Sequence, residues 1–303
     1  MAYLFETFDG WKKYCTDNKC GLVESVIDYE ITENGGTKEA ILAGVLVNYG
    51  VMRQAVDTGF TEDMKSRSGM INNGAKKVHS SKKTVLSPEF QQLIARALSA
   101  KEVNSCMGRV VAAPTAGASG IMPGVLYTLQ ELHDLADEKM AEAMLIAAGI
   151  ALIIEHKSSL AGAVGGCQAE TGSAAAMAAG AMVYCLEGSI DEIFSAVAIT
   201  IQCMLGLVCD PVAGLVEVPC VVRNASAAAI ANSSAQIAIS GVDSVIPVDE
   251  CVEAMGEVGE AMENRYKETA LGGLAATPTG RKISKKVLIR DIDILPDEDS
   301  DSN

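Results

Sequence analysis

Aromatic side chains are scarce in this chain: five Phe, seven Tyr and one Trp in 303 residues. With hydrophobic residues at 49% and aromatics at 4%, the interior must be aliphatic and rich in Ala and Gly. That mix suits closely packed helices better than a sandwich or barrel. Basic residues are also few, 24 Lys and Arg against 39 Asp and Glu. The resulting charge of −15 excludes the usual footprint of a nucleic-acid or anionic-membrane partner, which needs clustered Lys and Arg. The longest apolar run, Met144 to Ile154, is too short to span a bilayer and reads as a buried helix. The first ten residues hold no basic stretch followed by an apolar one, so the expectation is a cytoplasmic protein without a secretory signal. Histidine is rare too. His79, His133 and His156 show no triad-like arrangement with Ser or a carboxylate, and only His79, in a polar segment, merits testing as a base.

What is present is mostly helical pattern. Ile41, Leu42, Val45, Leu46, Tyr49 and Met52 share one face of a segment starting at Thr37, with Gly59 as its stop. Ser87-Pro88-Glu89 is a helix start, Ser as N-cap and Pro at the first helical position. Ser189 and Glu192 have capping-box spacing, with Gly206 as the later stop. Val248, Cys251, Val252, Met255, Val258 and Met262 mark a late amphipathic helix, with Asp249 and Glu250 in its first turn. Gly162 to Leu186 is mostly Ala, Gly, Ser and Met, small enough for close helix approach, and is the expected centre of the fold. Thr61 to Thr84 is polar and reads as a loop or flap. The expected fold class is all-α, a single mainly helical domain over residues 1–295 with cysteine-bearing turns, followed by a disordered acidic tail at 296–303.

Nine cysteines, an odd number in a chain read as unsecreted, point to reduced thiols or metal ligands. Cys167, Cys209 and Cys220 lie in stretches punctuated by Gly and Pro, where backbone can approach a bulky inorganic group. Three thiolates without a fourth partner suggest a metal centre with an open position. Their spacings match neither zinc ribbons nor ferredoxins, and on spacing alone they read as buried small hydrophobes. Cys15, Cys20, Cys106, Cys185, Cys203 and Cys251 lack so dense a Gly/Pro frame and read as structural.

Two loops accompany the cysteines. Gly108-Arg109 leads through Pro114-Thr115-Ala-Gly117-Ala-Ser119-Gly120 into Ile121, a Gly-rich loop opening a helix. N–H groups at a helix start attract carboxylate or phosphate, and Thr115 and Ser119 add hydroxyl donors. The loop matches neither Gly-Lys-[Ser/Thr] phosphate loops nor Gly-x-Gly-x-x-Gly, and a plain capped turn is the competing reading. Arg223-Asn224 follows Cys220 within a turn or so of helix; Arg suits a carboxylate, and a surface ion pair is the bland alternative. Gly272 to Gly280 is a further small, polar loop, lining a pocket or ending a helix that carries Tyr266-Lys267-Glu268.

Taken together, Asn104 to Gly120, Gly165-Gly166-Cys167-Gln-Ala-Glu170, Gly206 to Cys220 with Arg223-Asn224-Ala225, and Tyr266 to Gly280 closely resemble the alpha chain of the two-subunit, iron–sulfur-dependent L-serine dehydratases, or L-serine ammonia-lyases. The resemblance covers Ser87 to Gly280; the residues before Ser87 carry no comparable motif. It implies that Cys167, Cys209 and Cys220 ligate three irons of a [4Fe–4S] cluster, leaving the fourth for L-serine. It implies loss of the α-proton and β-hydroxyl to give aminoacrylate, which hydrolyses to pyruvate and ammonia. Arg109, Thr115, Ser119, Gly120, Arg223 and Asn224 become candidates for orienting the substrate carboxylate. The chain departs from the family's full pattern in lacking the Ser-Ser-His-Thr stretch thought to supply acid/base groups, since His79-Ser80-Ser81 runs in the wrong order. Single-chain relatives also end in a cysteine, whereas this chain ends in Asn303. A separate beta chain is therefore the expected partner. A cysteine desulfhydrase of the same cluster type and a non-catalytic zinc–thiolate subunit are the rival readings. A pyridoxal-phosphate enzyme is disfavoured, because no Lys stands in a convincing Schiff-base motif.

Overall fold

A computed structural model describes residues 4–292; the acidic tail expected at 296–303 lies outside them. Among the described residues there are thirteen α-helices, short 3₁₀ and π segments, and no β-strand beyond two isolated bridges. In chain order the helices are α1 (Phe8–Asn18), α2 (Leu22–Asn34), α3 (Lys38–Thr61), α4 (Gly74–His79), α5 (Pro88–Ser105), α6 (Ile121–His133) and α7 (Asp137–Lys157). They continue as α8 (Gly162–Gly165), α9 (Ser173–Cys185), α10 (Ile190–Met204), α11 (Cys220–Ile239), α12 (Val248–Ala261) and α13 (Pro278–Ile292). The all-α expectation holds.

Local chemistry sets several of the starts. Ser87 accepts from the Phe90 N–H and Pro88 occupies the first helical position of α5. At α10 the capping box is complete, Ser189 accepting from Glu192 N and Glu192 accepting from Ser189 N. Such caps satisfy amide donors that helix geometry leaves orphaned, each contributing about 1 kcal/mol.

The small-residue stretch does form the hub. Every residue of α9 except Tyr184 is buried, and the helix packs on α6, α7, α10 and α11. Helices pack this tightly only where side chains vanish: a Cβ on Gly180 would stand 2.4 Å from Ile150 Cδ1 of α7 and 3.2 Å from Val197 of α10. The rare aromatics cluster instead at one edge. Trp11 is fully buried, stacks on Phe5 at 5.2 Å, and donates to Ser25 Oγ at 2.6 Å. Gly149 of α7 leaves room for its ring, 2.5 Å from where a Cβ would be. Trp11→Ala is expected to cost about 3–5 kcal/mol, read as a lower denaturant midpoint for the whole chain.

Some boundaries differ from the pattern-based expectation. Gly59 does not stop its helix; α3 continues to Thr61, and Gly59 lets it lie on α5, where a Cβ would meet the Ser99 carbonyl at 2.7 Å. The polar segment after it is no free flap. It contains α4, whose first amides are held by Glu102 of α5 (Gly74 N 2.7 Å, Ala75 N 3.2 Å). Ser66 and Ser68 both donate to Glu217, pinning the segment beside Cys220. No helix carries Tyr266-Lys267-Glu268: α12 ends at Ala261 and only a 3₁₀ turn, Asn264–Tyr266, follows.

Candidate metal centre

The three singled-out cysteines are all buried, but two do not lie in turns as expected. Cys167 begins a helix whose first five further residues, Gln168–Gly172, are wound as a π-helix leading into α9. Cys220 is the first residue of α11. Only Cys209 sits in extended backbone, bridged in parallel to Lys267. That bridge, Cys209 N to Tyr266 O (2.8 Å) and Glu268 N to Cys209 O (3.0 Å), fastens the 266–268 loop to the centre.

Three features fix Cys167. Gly166 adopts φ 76°, ψ −174°, a region essentially closed to other residues, and a Cβ there would stand 2.7 Å from Met262 Sδ and 3.0 Å from Leu207 O. Gln168 spends both ends of its amide on backbone, donating to Met255 O (2.9 Å) and accepting from Gly206 N (2.8 Å). Its own N–H reaches Leu207 O at 2.9 Å. The segment ahead of Cys209 is thereby tied to the start of the Cys167 helix.

Ligand atoms of Cys167, Glu170 and Cys209 lie within 4.8 Å of one another. Glu170 follows Cys167 by three residues, within the π-helical turn that brings its carboxylate to the thiols. A Cβ on Gly162 would stand 3.4 Å from Cys209 Sγ, 3.4 Å from Glu268 Oε2 and 3.5 Å from Glu170 Oε2, so three donors converge on one spot. Cys220 is outside the tight group, yet near enough for Cys167 and Lys101 to act on its charge.

The thiols are not equivalent. The Cys209 S–H donates to Cys167, and Thr171 and Arg223 also favour the Cys167 thiolate, lowering its pKa to about 7 against the cost of burial. Cys209 is correspondingly raised, by that shared proton and then by burial. Burial, then Cys167, pushes Cys220 up to about 12. Glu268 is raised by burial and by facing Glu170.

The loop of 108–120 lies against this centre. Thr115 Oγ1 donates to Glu170 Oε1 at 2.5 Å, and a Cβ on Gly117 would collide with the same carboxylate at 2.3 Å. Asn224, fully buried, donates to Gly117 O (2.9 Å) and Cys220 O (2.8 Å) and accepts from Gly120 N (2.9 Å). It thus staples the loop to α11 and has both amide protons occupied. Arg223 pairs with Asp210 at 2.8 Å and donates to Val208 O at 2.8 Å. Asp210 in turn accepts from Leu274 N (2.7 Å), while Gly273, at φ 55°, leaves no Cβ to strike it. Hence the Gly272–Gly280 loop docks on the cysteine segment. Ser119 Oγ is buried without a hydrogen-bond partner among the described residues, Gly120 is buried, and Arg109 is exposed. A cavity of about 480 Å³ opens beside the centre, lined by Ser68, Asn104, Ala116, Gly117 and Glu217 among others.

Sequence reasoning missed the carboxylates and one cation. The signal that could have found Glu170 is its place three residues after Cys167, near enough in sequence to share its turn of helix. Glu268 and the buried Lys101 gave no such signal, because a loop bridge and a long-range helix contact place them. Two histidines are engaged elsewhere: His79 bonds Gln92 at 2.6 Å with its ring tilted against Phe60, and His156 faces Glu6 at 3.4 Å.

Of the six cysteines read as structural, Cys15, Cys185 and Cys251 are buried, Cys20 and Cys106 are half-buried, and Cys203 is exposed near the end of α10. Burial pushes Cys185 up to about 12. Native alkylation at mildly alkaline pH is expected to label Cys203 first and leave Cys185 untouched, as mass spectrometry of the digested protein would reveal.

The fold and this centre define an all-α protein in which two thiols and two carboxylates from three stretches converge on one point, with Cys220 beside them. The chain belongs to the serine dehydratase alpha chain family, which matches residues 17–275. It is 42% identical over 263 residues to the probable L-serine dehydratase alpha chain of Bacillus subtilis strain 168, covering 86% of this chain and 87% of the relative. It is 41% identical over 277 residues to the L-serine dehydratase alpha chain of Peptoniphilus asaccharolyticus, covering 90% and 95%. The L-serine dehydratase of Streptomyces coelicolor is 38% identical over 283 residues, which are 91% of this chain and 61% of that longer protein. The relatives are ammonia-lyases. Among the described residues no helix is long and apolar enough to cross a membrane.

Proposed function

We propose that this chain is the alpha chain of an L-serine dehydratase that converts L-serine to pyruvate and ammonia, with a [4Fe–4S] cluster held by Cys167, Cys209 and Cys220. The observation that carries the reading is the convergence of Cys167, Glu170 and Cys209, with Cys220 beside them. The donor set fits such a group: soft, buried thiols, one already favouring its thiolate, in a pocket kept open by Gly117 and Gly162. When bound, the cluster supplies an iron with an open position, a Lewis acid for the departing hydroxyl.

The chain's own residues would do the rest by orientation. The Ala116 and Gly117 carbonyls are turned inward, onto Lys101 (3.3 Å) and Asn224 (2.9 Å). Because a trans peptide points its N–H opposite its C=O, the Gly117 N–H faces away from Lys101, where the substrate carboxylate can accept it. Ser119 is the loop's uncommitted hydroxyl for the same task, whereas Thr115 spends its proton on Glu170 and so orients that carboxylate. Arg223 and Asn224 act by holding the loop and the cysteine segment, since their donors are already engaged. Glu268, raised by burial, is suited to hold a proton at the centre.

The α-proton acceptor would come from a beta chain. The portion of the Streptomyces coelicolor protein that this chain leaves unmatched supports a second part of that kind. Anaerobically purified protein is expected to contain iron and acid-labile sulfide, and to turn over serine faster than cysteine once a beta chain is added, with little turnover alone. Zinc without sulfide, or full activity of the isolated chain, would refute the corresponding half of the reading.

A further inference from the structure

The deepest charge in the molecule belongs to neither the thiols nor the carboxylates. Lys101 of α5 is fully buried, in a run from Ala95 to Val103 that is buried throughout. Its Nζ donates to Asn104 Oδ1 and to Ala116 O, two neutral oxygens. Among the described residues no carboxylate lies within ion-pair distance of it. The other deeply placed cations are matched: Arg223 has Asp210, and Arg96 has Glu131.

An ammonium taken from water without a counter-charge costs several kcal/mol, which a fold tolerates only if something negative repays it nearby. Lys101 sits against the thiol centre: the Ala116 carbonyl it holds adjoins Gly117, whose Cβ would stand 2.3 Å from Glu170 Oε1, and Cys220, Glu170, Cys167 and Glu217, when ionised, favour its charge in that order. Two of these are proposed cluster ligands and a third belongs to the same centre. Burial lowers the Lys101 pKa to about 8, which still leaves the group mostly charged at neutral pH.

We infer that Lys101 is the buried counter-charge of the thiol centre, a positioning residue that stabilises the anionic thiolates and the cluster they hold while fixing the Ala116–Gly117 peptide from beneath. This rests on the cluster reading. It also accounts for a Lys at a position where the neighbouring helix face, Ala97, Leu98 and Ala100, is apolar.

The test compares the wild-type chain with Lys101→Met and Lys101→Gln, all reconstituted anaerobically with iron and sulfide. Loss of the ammonium is expected to make the cluster's reduction potential more negative and to speed iron loss to a chelator severalfold. Lys101→Arg should recover part of both. The metal-free Met variant should melt no lower than the wild type, because an uncompensated buried charge has gone. A residue that merely props up the fold would give the opposite pattern, a lower melting temperature with an unchanged potential. That pattern, or wild-type potential and iron retention in both neutral variants, overturns the inference. Failure of the wild type itself to take up iron and sulfide would sink the cluster reading first, and this inference with it.

Discussion

Replacing Cys209 by Ser is expected to abolish iron retention and serine turnover together, while the same change at Cys20 or Cys106 leaves both within about twofold. The difference lies in surroundings, since all three changes alter one atom. Cys209 stands among Cys167, Glu170 and Glu268, on backbone bridged to Lys267. Even an outer-shell partner of a bound metal is worth about 10–100-fold in affinity or activity, so loss of a ligand should exceed about 100-fold. Iron and sulfide analysis after gel filtration, beside turnover with a beta chain present, measures it. The variant should still fold, because Cys and Ser differ little in size and the apolar hub on α9 lies elsewhere. Retained iron and sulfide in Cys209→Ser would remove this residue from the ligand set.

The second large effect is on stability. Gly166→Ala forces a side chain into φ 76°, ψ −174° and sets a Cβ 2.7 Å from Met262 Sδ and 3.0 Å from Leu207 O. Backbone strain of this kind costs about 1–3 kcal/mol, and overpacking about 1–3 kcal/mol more. A fall in Tm of about 3–9 °C follows for a chain of this size. Because Gln168, the residue after Cys167, is tied to Leu207 and Gly206, the strain should also spread the thiols and weaken iron uptake. Gly44→Ala is the contrast: it lies mid-helix on α3, with nothing within 4 Å of a new Cβ, and should be neutral or stabilising by about 0.5–1 kcal/mol. Equal melting temperatures for the two variants would contradict this account.

Much of the fold was legible because its signals are local. Ser87-Pro88 and Ser189-Glu192 state helix starts within four residues, and the buried face of α12 repeats along its own sequence. Gly59 was misread because a glycine that ends a helix and one that admits a neighbouring helix look alike until the neighbour is known. The Gly/Pro frame singled out three cysteines that are all buried, two of them brought within 4.8 Å, but it could not distinguish a turn from the first residue of a helix. Arg223 and Asn224 were correctly placed near Cys220, yet their partners, Asp210, Gly117 and Gly120, are chosen by tertiary packing. Glu268 and Lys101 illustrate the same limit. Nothing in the residues flanking either one announces the loop bridge or the helix contact that brings it to the centre.

The hub on α9 has a consequence for how this chain can vary. A helix hemmed in on every side offers no outward face on which a larger residue could be parked, so Ala175, Ala178, Ala179 and Ala181 are locked by four neighbours at once. A saturation library should therefore show an almost empty band of survivors from Ser173 to Val183, next to a permissive stretch at the exposed start of α3. Tolerated substitutions are therefore expected at its periphery.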